Sequence, residues 1–258
     1  MQLIKSTDER EALEQARWQA RVDLAAAHRL ANMHGLNEGI FNHLTLNVPG
    51  SGDRYYQIPF GLHWSEISAS TFMEVDFAGQ VRSGKGSVER SCYCIHAPIH
   101  RLLPQAACVM HTHMPFASAL TRLKDPRLKP IGQTEVGMMR RIAYDTDYPG
   151  PAFDPAEGER LAGLFGDKTV LFMANHGVAV IGETVAQAYD SLYYVERAAQ
   201  VQLYAMWTGQ PLAEMAEYVV ERTMENYAAP EYEGIPAWEH HFRALKRILD
   251  RREPDYKD

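Results

Sequence analysis

The segment "TVLFMANHGVAVIG", from Thr169 to Gly182, gives the clearest indication of the fold. Two apolar runs of strand-forming residues are interrupted by Asn175-His176-Gly177, which is typical of two buried strands separated by turn residues. A helix is predicted to follow, because Thr184 is a good N-cap and apolar residues recur at helical spacing as far as Trp207. The sequence therefore predicts buried strands alternating with helices.

A second segment, "VMHTHMPF" from Val109 to Phe116, carries two histidines one residue apart. Residues i and i+2 of an extended segment point to the same face, so His111 and His113 project together. Neutral imidazoles bind divalent metals, and a catalytic site needs about three protein ligands and an open position. His176 is the candidate third ligand, because it also lies where a strand-like run breaks at a glycine. Alternatively, the two histidines lie in an exposed loop, or one of them caps the next helix.

The rest of the chain mixes helix and strand patterns. One helix is predicted from about Asp8 to Met33, with Ser6 and Glu9 as a capping-box pair, and another from about Tyr93 to Leu103. Short strand-like segments are predicted at Leu44–Val48, Tyr55–Ile58, Met73–Asp76, Gln80–Arg82 and Ala106–Met110.

Length and composition are those of a folded globular protein. The chain has 258 residues, of which 46% are hydrophobic, and this suits one large domain or a domain with a tail. We expect residues 1–208 to form a catalytic core. Residues 209–258 are expected to form a tail whose amphipathic helix packs on the core or on a neighbouring subunit.

Charge and cysteine content narrow the expected partners and compartment. The chain has a formal net charge of -7 and no block of basic residues, so we do not expect it to bind nucleic acid. The first residues lack the charged-then-apolar pattern of a signal peptide, and no apolar run reaches the roughly 18 residues of a membrane span. Three cysteines are an odd number, which argues against a disulfide framework and favours the cytoplasm. The expected partners are a small-molecule substrate and further copies of the chain.

Three motifs together resemble the class II aldolase/adducin family: "GIFNHLTLNVPG", "VMHTHMPF" and "ANHGVAVIGETVAQAYD". The similarity extends from about Arg21 to Tyr204. It implies a three-layer αβα fold around a mixed, mostly antiparallel sheet, assembled as a homotetramer with active sites between subunits. It also implies that His111, His113 and His176 bind a divalent metal, zinc first, with iron and manganese as alternatives.

The resemblance also indicates residues that would contact substrate. Asn42 and Thr45 match the polar residues of the family's anion site, and Gly61 matches the glycine of a following turn. Phe41 and Phe60 replace a glycine and a hydroxyl-bearing residue of that site, so a phosphorylated substrate is disfavoured. Gln133 matches a polar residue that touches ligand or caps a turn.

The family's acid–base glutamate is absent from its usual position, which is Cys92 here. Glu89 is the nearest carboxylate, and it could serve as the base if the loop before the helix is shifted by about one turn; otherwise it is a solvated loop charge. The pattern of Cys92, Cys94 and His96 could suggest a second metal site. Helical residues two apart do not share a face, however, so buried thiols are the preferred interpretation.

Tyr144 and Tyr148 lie where family members have a loop tyrosine that can act as an acid. A phenol can donate a proton to a developing alkoxide, although ordinary loop packing explains either tyrosine equally simply.

The leading functional prediction is a metal-dependent lyase that cleaves a carbon–carbon bond of a small hydroxy- or keto-compound by a retro-aldol reaction through a metal-stabilised enolate. One alternative keeps the three histidines and predicts a decarboxylase or a non-haem iron oxygenase. Another is a non-catalytic, adducin-like binding module, because one fold can serve many functions.

Overall fold

The computed structural model of the chain describes residues 7–226 and 231–258. The helices are α1 (Thr7–Met33), α2 (Arg90–Leu102), α3 (Pro115–Leu120), α4 (Gln133–Met139), α5 (Pro155–Phe165), α6 (Val185–Trp207), α7 (Glu217–Asn226) and α8 (Ala237–Arg252). The strands are β1 (His43–Asn47), β2 (Arg54–Gln57), β3 (Met73–Asp76), β4 (Val81–Ser83), β5 (Cys108–Thr112), β6 (Ile142–Asp145), β7 (Val170–Met173), β8 (Val178–Gly182), β9 (Glu231–Tyr232) and β10 (Ile235–Pro236). None of the described helices is both long and apolar enough to cross a membrane.

An eight-stranded sheet forms the centre of the described structure, in the order β4-β3-β2-β1-β5-β8-β7-β6. Only the edge pair β6 and β7 is parallel, and every other neighbouring pair is antiparallel. Helices flank the sheet, so the predicted α/β fold with a mixed, mostly antiparallel sheet is confirmed.

The alternation of side chains along β5 assigns the two faces of the sheet. Cys108 and Met110 belong to the larger apolar cluster, which α1 and α6 complete, whereas Val109 packs in a second cluster with residues of α2 and α5. Since alternate strand residues share a face, His111 lies on the same face as Val109, towards α2. A polar residue thus enters the layer between α2 and the sheet.

The predicted helices form, with one boundary that differs. α1 begins at Thr7, and the predicted capping residue Ser6 lies outside the described residues. The hydroxyl of Thr184 caps α6 as predicted, accepting a hydrogen bond from the Gln187 amide. α2 begins at Arg90 rather than near Tyr93, because Glu89 accepts a hydrogen bond from the Cys92 amide and caps an earlier turn.

The C-terminal segment packs on the core within the same chain. In α8, Lys246 pairs with Asp23 of α1 at 2.5 Å, and His241 lies 2.8 Å from Asp190 of α6. Tyr256 is fully buried beyond α8. The division of the chain at residue 208 stays a prediction.

The contact between α2 and α5 depends on a glycine, which provides a stability test. A β-carbon at Gly158 would overlap the carbonyl oxygen of Cys94 and come within 3.0 Å of the Ile95 carbonyl oxygen. Gly158→Ala should therefore lower the free energy of unfolding by about 1–3 kcal/mol, measured by urea denaturation.

Gly163→Ala in the same helix is the matched control. No atom lies within 4 Å of its added β-carbon, so this change should stabilise the protein by about 0.5–1 kcal/mol. Equal effects of the two substitutions would contradict the close packing of α2 on α5.

Candidate metal centre

The structure brings together the three histidines singled out from the sequence. His111 lies in β5, His113 directly follows that strand, and His176 lies in the turn between β7 and β8. One ligand nitrogen from each ring lies within 4.8 Å of the others, and the ring centroids are 4.8–4.9 Å apart. This spacing suits three imidazoles around one ion.

Backbone pairing and one glycine produce the convergence. β5 pairs with β8 so that Thr112 is opposite Val178, which brings the turn before β8 beside the end of β5. A β-carbon at Gly177 would lie 2.6 Å from the Thr112 carbonyl oxygen and 2.7 Å from the His113 ring. Glycine therefore allows the turn that carries His176 to approach the other two ligands.

Hydrogen bonds orient two of the rings. His111 Nδ1 lies 3.1 Å from the carbonyl oxygen of Val178, and His113 Nδ1 lies 2.5 Å from Glu38 Oε2. Because both partners accept, each Nδ1 carries a proton, and the neutral tautomer that this arrangement favours has its lone pair on Nε2. His113 Nε2 is buried without a hydrogen-bond partner in the described part of the chain. Such a nitrogen is ready to bind an ion.

Burial keeps the rings of His111 and His176 neutral. Desolvation, followed by repulsion from neighbouring histidines, lowers the pKa of His111 well below its usual value and lowers the pKa of His176 to about 4. Neutral nitrogen donors are what a divalent ion requires, so the residues present fit such a metal. Three protein ligands would leave a position open for substrate.

Side chains from other elements fix the backbone at His113 and in the residues that follow it. The amide of His113 donates a 3.0 Å hydrogen bond to Asn42 Oδ1, and Asn42 itself is buried with φ 76°. After the cluster, the Glu196 carboxylate accepts from the amides of Phe116 and Ala117 at 2.9 and 2.7 Å. It thus caps the short helix α3.

The three residues predicted to be catalytic have different surroundings. The Glu89 carboxylate lies 3.0 Å from His43 Nε2, and the ring of His43 stacks against His111 with a centroid distance of 6.0 Å. The Tyr148 ring is 42% exposed and lies 6.0 Å from the His176 ring. The Tyr144 hydroxyl instead accepts a hydrogen bond from the Leu128 amide, and burial raises its pKa.

The remaining predicted substrate residues are spread out. Thr45 is fully buried, and its hydroxyl contacts His96 and His100, so it has no surface exposed to a ligand. Gly61 is exposed in the turn after β2 with φ 102°. Gln133 is exposed at the first residue of α4.

Sequence reasoning missed two residues of the site, Glu38 and His43. A cleft is lined by His43 together with Asn42, Gln57, Phe60 and Glu89. His43 could have been found from strand alternation, because it lies two residues before Thr45 and shares its face. Glu38 belongs to a loop and offers no such signal.

Comparisons with known proteins agree with this architecture. Residues 22–203 match the model of the Class II Aldolase and Adducin N-terminal domain. A Caulobacter vibrioides protein provisionally named as a class 2 aldolase is 32% identical over 248 residues, which cover 95% of this chain and 94% of that protein. The crystal structure of an aldolase II superfamily protein from Pseudomonas syringae gives a TM-score of 0.87 at 33% identity, covering 94% of this chain and 96% of that one. Alpha-adducin of Rattus norvegicus is 31% identical over 244 residues, which cover 89% of this chain but 33% of that protein.

Two substitutions at Asn42 separate the effects of its side chain and its backbone. Asn42→Gly tolerates the positive φ and loses the hydrogen bond to His113, which should cost about 1 kcal/mol. Asn42→Ala loses the hydrogen bond and also strains the left-handed backbone, which should add about 1–2 kcal/mol. Urea unfolding measures both values, and equal destabilisation by the two variants would contradict the backbone argument.

Proposed function

Because the chain belongs to the class II aldolase and adducin family, we propose that it is a divalent-metal-dependent lyase. The proposed reaction is retro-aldol cleavage of a carbon–carbon bond in a small hydroxy- or keto-compound. One observation supports this proposal above all others. One ring nitrogen from each of His111, His113 and His176 lies within 4.8 Å of the others, in surroundings that keep His111 and His176 neutral. A binding module without catalysis does not require such a donor set.

Zinc is the proposed metal, with iron and manganese as alternatives. When bound, the ion would polarise the substrate carbonyl and stabilise negative charge on its oxygen. The chain's own contribution is orientation, since Val178 and Glu38 fix the rings of His111 and His113. These partners set which nitrogen carries the proton, and thereby leave the donor atoms free.

Glu89 is proposed as the acid–base residue, acting through His43. Burial raises its pKa, but contacts with His43, Ser91 and the Cys92 amide outweigh this effect and lower it to about 2. An anionic carboxylate at His43 Nε2 would hold this ring in one orientation beside His111. Glu89 would therefore support proton transfer through His43 and would not contact the substrate directly.

Tyr148 is proposed to exchange a proton with the substrate hydroxyl: it accepts the proton as the carbon–carbon bond breaks and returns it to the alkoxide in the reverse, condensing direction. Its partly exposed ring beside His176 supports this role. Tyr144 is the weaker candidate, because its hydroxyl is engaged by the Leu128 amide and its ring packs on Phe172. Asn42 lines the cleft and remains a proposed substrate contact.

The lining of the cleft supports a substrate without a phosphate. Phe60 lines it together with Ile40 and Ile58, and the exposed ring of Phe41 lies 6.1 Å from that of Phe60. The exposed rings of Phe41 and Phe60 could also stack on an aromatic acid, which favours the decarboxylase or oxygenase alternative on the same three histidines. The relation to alpha-adducin is the observation that favours a non-catalytic binding role.

A homotetramer is the proposed assembly, and exposed aromatic residues support contacts between copies. Trp207 is 72% exposed at the end of α6, and Tyr218 is 74% exposed in α7.

Light scattering should return about four chain masses, and a monomer would contradict the proposed assembly.

His176→Ala tests the metal centre. Removing one of three ligands should lower the zinc content of untagged protein by about one ion per chain, as measured by elemental analysis. His240→Ala, which changes a histidine on α8, is the control and should leave the metal content unchanged. An unaltered metal content in folded His176→Ala protein would refute the centre.

Glu89→Gln tests the reaction. Glutamine keeps an acceptor at the start of α2 but removes the charge beside His43, so turnover should fall at least about 100-fold while the metal is retained. Aldehyde release from a panel of hydroxy-carbonyl compounds is the readout, with His240→Ala again as the control. Retained turnover would remove Glu89 from the mechanism, and carbon dioxide release or oxygen uptake with aromatic acids would favour the alternative chemistries.

A further inference from the structure

We propose that His43, Cys92 and His96 form a second metal site, adjacent to the three-histidine centre, for a thiophilic divalent ion such as Zn²⁺. One ligand atom from each of the three side chains lies within 4.8 Å of the others. Cys92 and His96 are fully buried, and the side chain of His43 is 11% exposed.

Two elements place these side chains together. Cys92 and His96 are four residues apart in α2 and therefore share one face of the helix, whereas Cys94 does not share it. His43 in β1 is directly opposite His111 in the antiparallel register of β1 with β5. The rings of His43 and His96 meet edge to face with centroids 5.6 Å apart.

A chain of hydrogen bonds assigns the protons of this layer. His100 Nδ1 lies 2.7 Å from the carbonyl oxygen of Ala106, so this nitrogen donates. His100 is neutral, because burial lowers its pKa to about 4, and its Nε2 must accept from the Thr45 hydroxyl at 2.8 Å. The same hydroxyl oxygen then accepts from His96 Nδ1 at 2.7 Å. His96 consequently carries its lone pair on Nε2.

That lone pair has no partner within the described residues. His96 Nε2 is buried and accepts no hydrogen bond there. Leaving a buried acceptor unpaired is unfavourable, since the nitrogen has lost its hydration without compensation. A metal ion between His96, His43 and Cys92 would provide the missing interaction.

The third ligand is prepared in a similar way. The Glu89 carboxylate lies 3.0 Å from His43 Nε2, although the ring N–H does not point directly at the oxygen, and His43 Nδ1 is buried without a partner. A carboxylate beside one ring nitrogen favours the proton there and frees the other nitrogen for a metal. Glu89 also accepts hydrogen bonds from the Ser91 hydroxyl and the Cys92 amide, which fixes the helix start.

The donor set indicates which ions would bind. One sulfur and two imidazole nitrogens suit zinc and its thiophilic neighbours, not magnesium or calcium, which prefer oxygen. On binding, the ion replaces the proton of the Cys92 thiol, and that proton is released to solvent. Three protein ligands leave a fourth position for water or a substrate atom.

Cobalt titration tests this site, because a thiolate bound to Co²⁺ gives a charge-transfer band in the near ultraviolet that imidazole ligands do not give. Metal-free wild-type protein should bind about two cobalt ions per chain and develop the band. Cys92→Ser should lose the band and retain about one ion. Cys94→Ser, a buried cysteine of the same helix, and His176→Ala should both keep the band.

Two results would overturn the second site: no thiolate band in wild-type protein at saturating cobalt, or a band that persists in Cys92→Ser. If Cys92→Ser does not fold, His43→Ala replaces it, since this change removes a ligand from β1 and leaves α2 intact. Loss of the band in that variant supports the site, and retention of its full intensity refutes it.

Discussion

Strand β5 is held between β1 and β8 by antiparallel hydrogen bonding, and the positions of the histidines depend on this pairing. The register places His43 opposite His111 on one side and Ala179 opposite His111 on the other. β8 also brings the preceding turn, with His176, to the end of β5. A shift of one residue in either pairing would turn the β5 side chains to the opposite face and disperse both clusters.

The energetic consequence is a set of desolvated imidazoles, of which His96, His100 and His111 lie between α2 and the sheet. Desolvation is the largest cause of the lowered pKa at His96, His100, His111 and His176. Buried polar atoms are unfavourable unless paired, and here the Nδ1 atoms of His96, His100, His111 and His113 meet an oxygen acceptor. The buried Nε2 atoms of His96 and His113 are left for other ligands. The same burial that could destabilise the fold thus leaves nitrogen atoms of the kind that divalent metals bind.

Local patterns in the sequence were sufficient to group His111, His113 and His176 as a candidate metal site. Strand alternation explains why His111 and His113 project together, and the glycine after His176 marks the turn that reaches them. The start of α2 was predicted too late, since the cap by Glu89 depends on a side-chain contact that periodicity does not reveal. Thr45 resembled a substrate residue, but a threonine in β1 can equally form hydrogen bonds with two helix histidines, as it does here. The prediction that Cys92 and Cys94 are buried thiols is confirmed. The grouping of His43 with Cys92 and His96 was not predicted, because it depends on the packing of α2 against β1, two elements distant in the chain.

Anomalous diffraction from crystals grown without added metal or chelator, measured on both sides of the zinc absorption edge, shows directly whether the three histidines hold a metal. The proposed centre predicts an anomalous peak between the rings of His111, His113 and His176 that disappears below the edge, or a corresponding peak at the iron or manganese edge. Well-ordered rings at these positions, with no anomalous signal between them at any of the three edges, would contradict it.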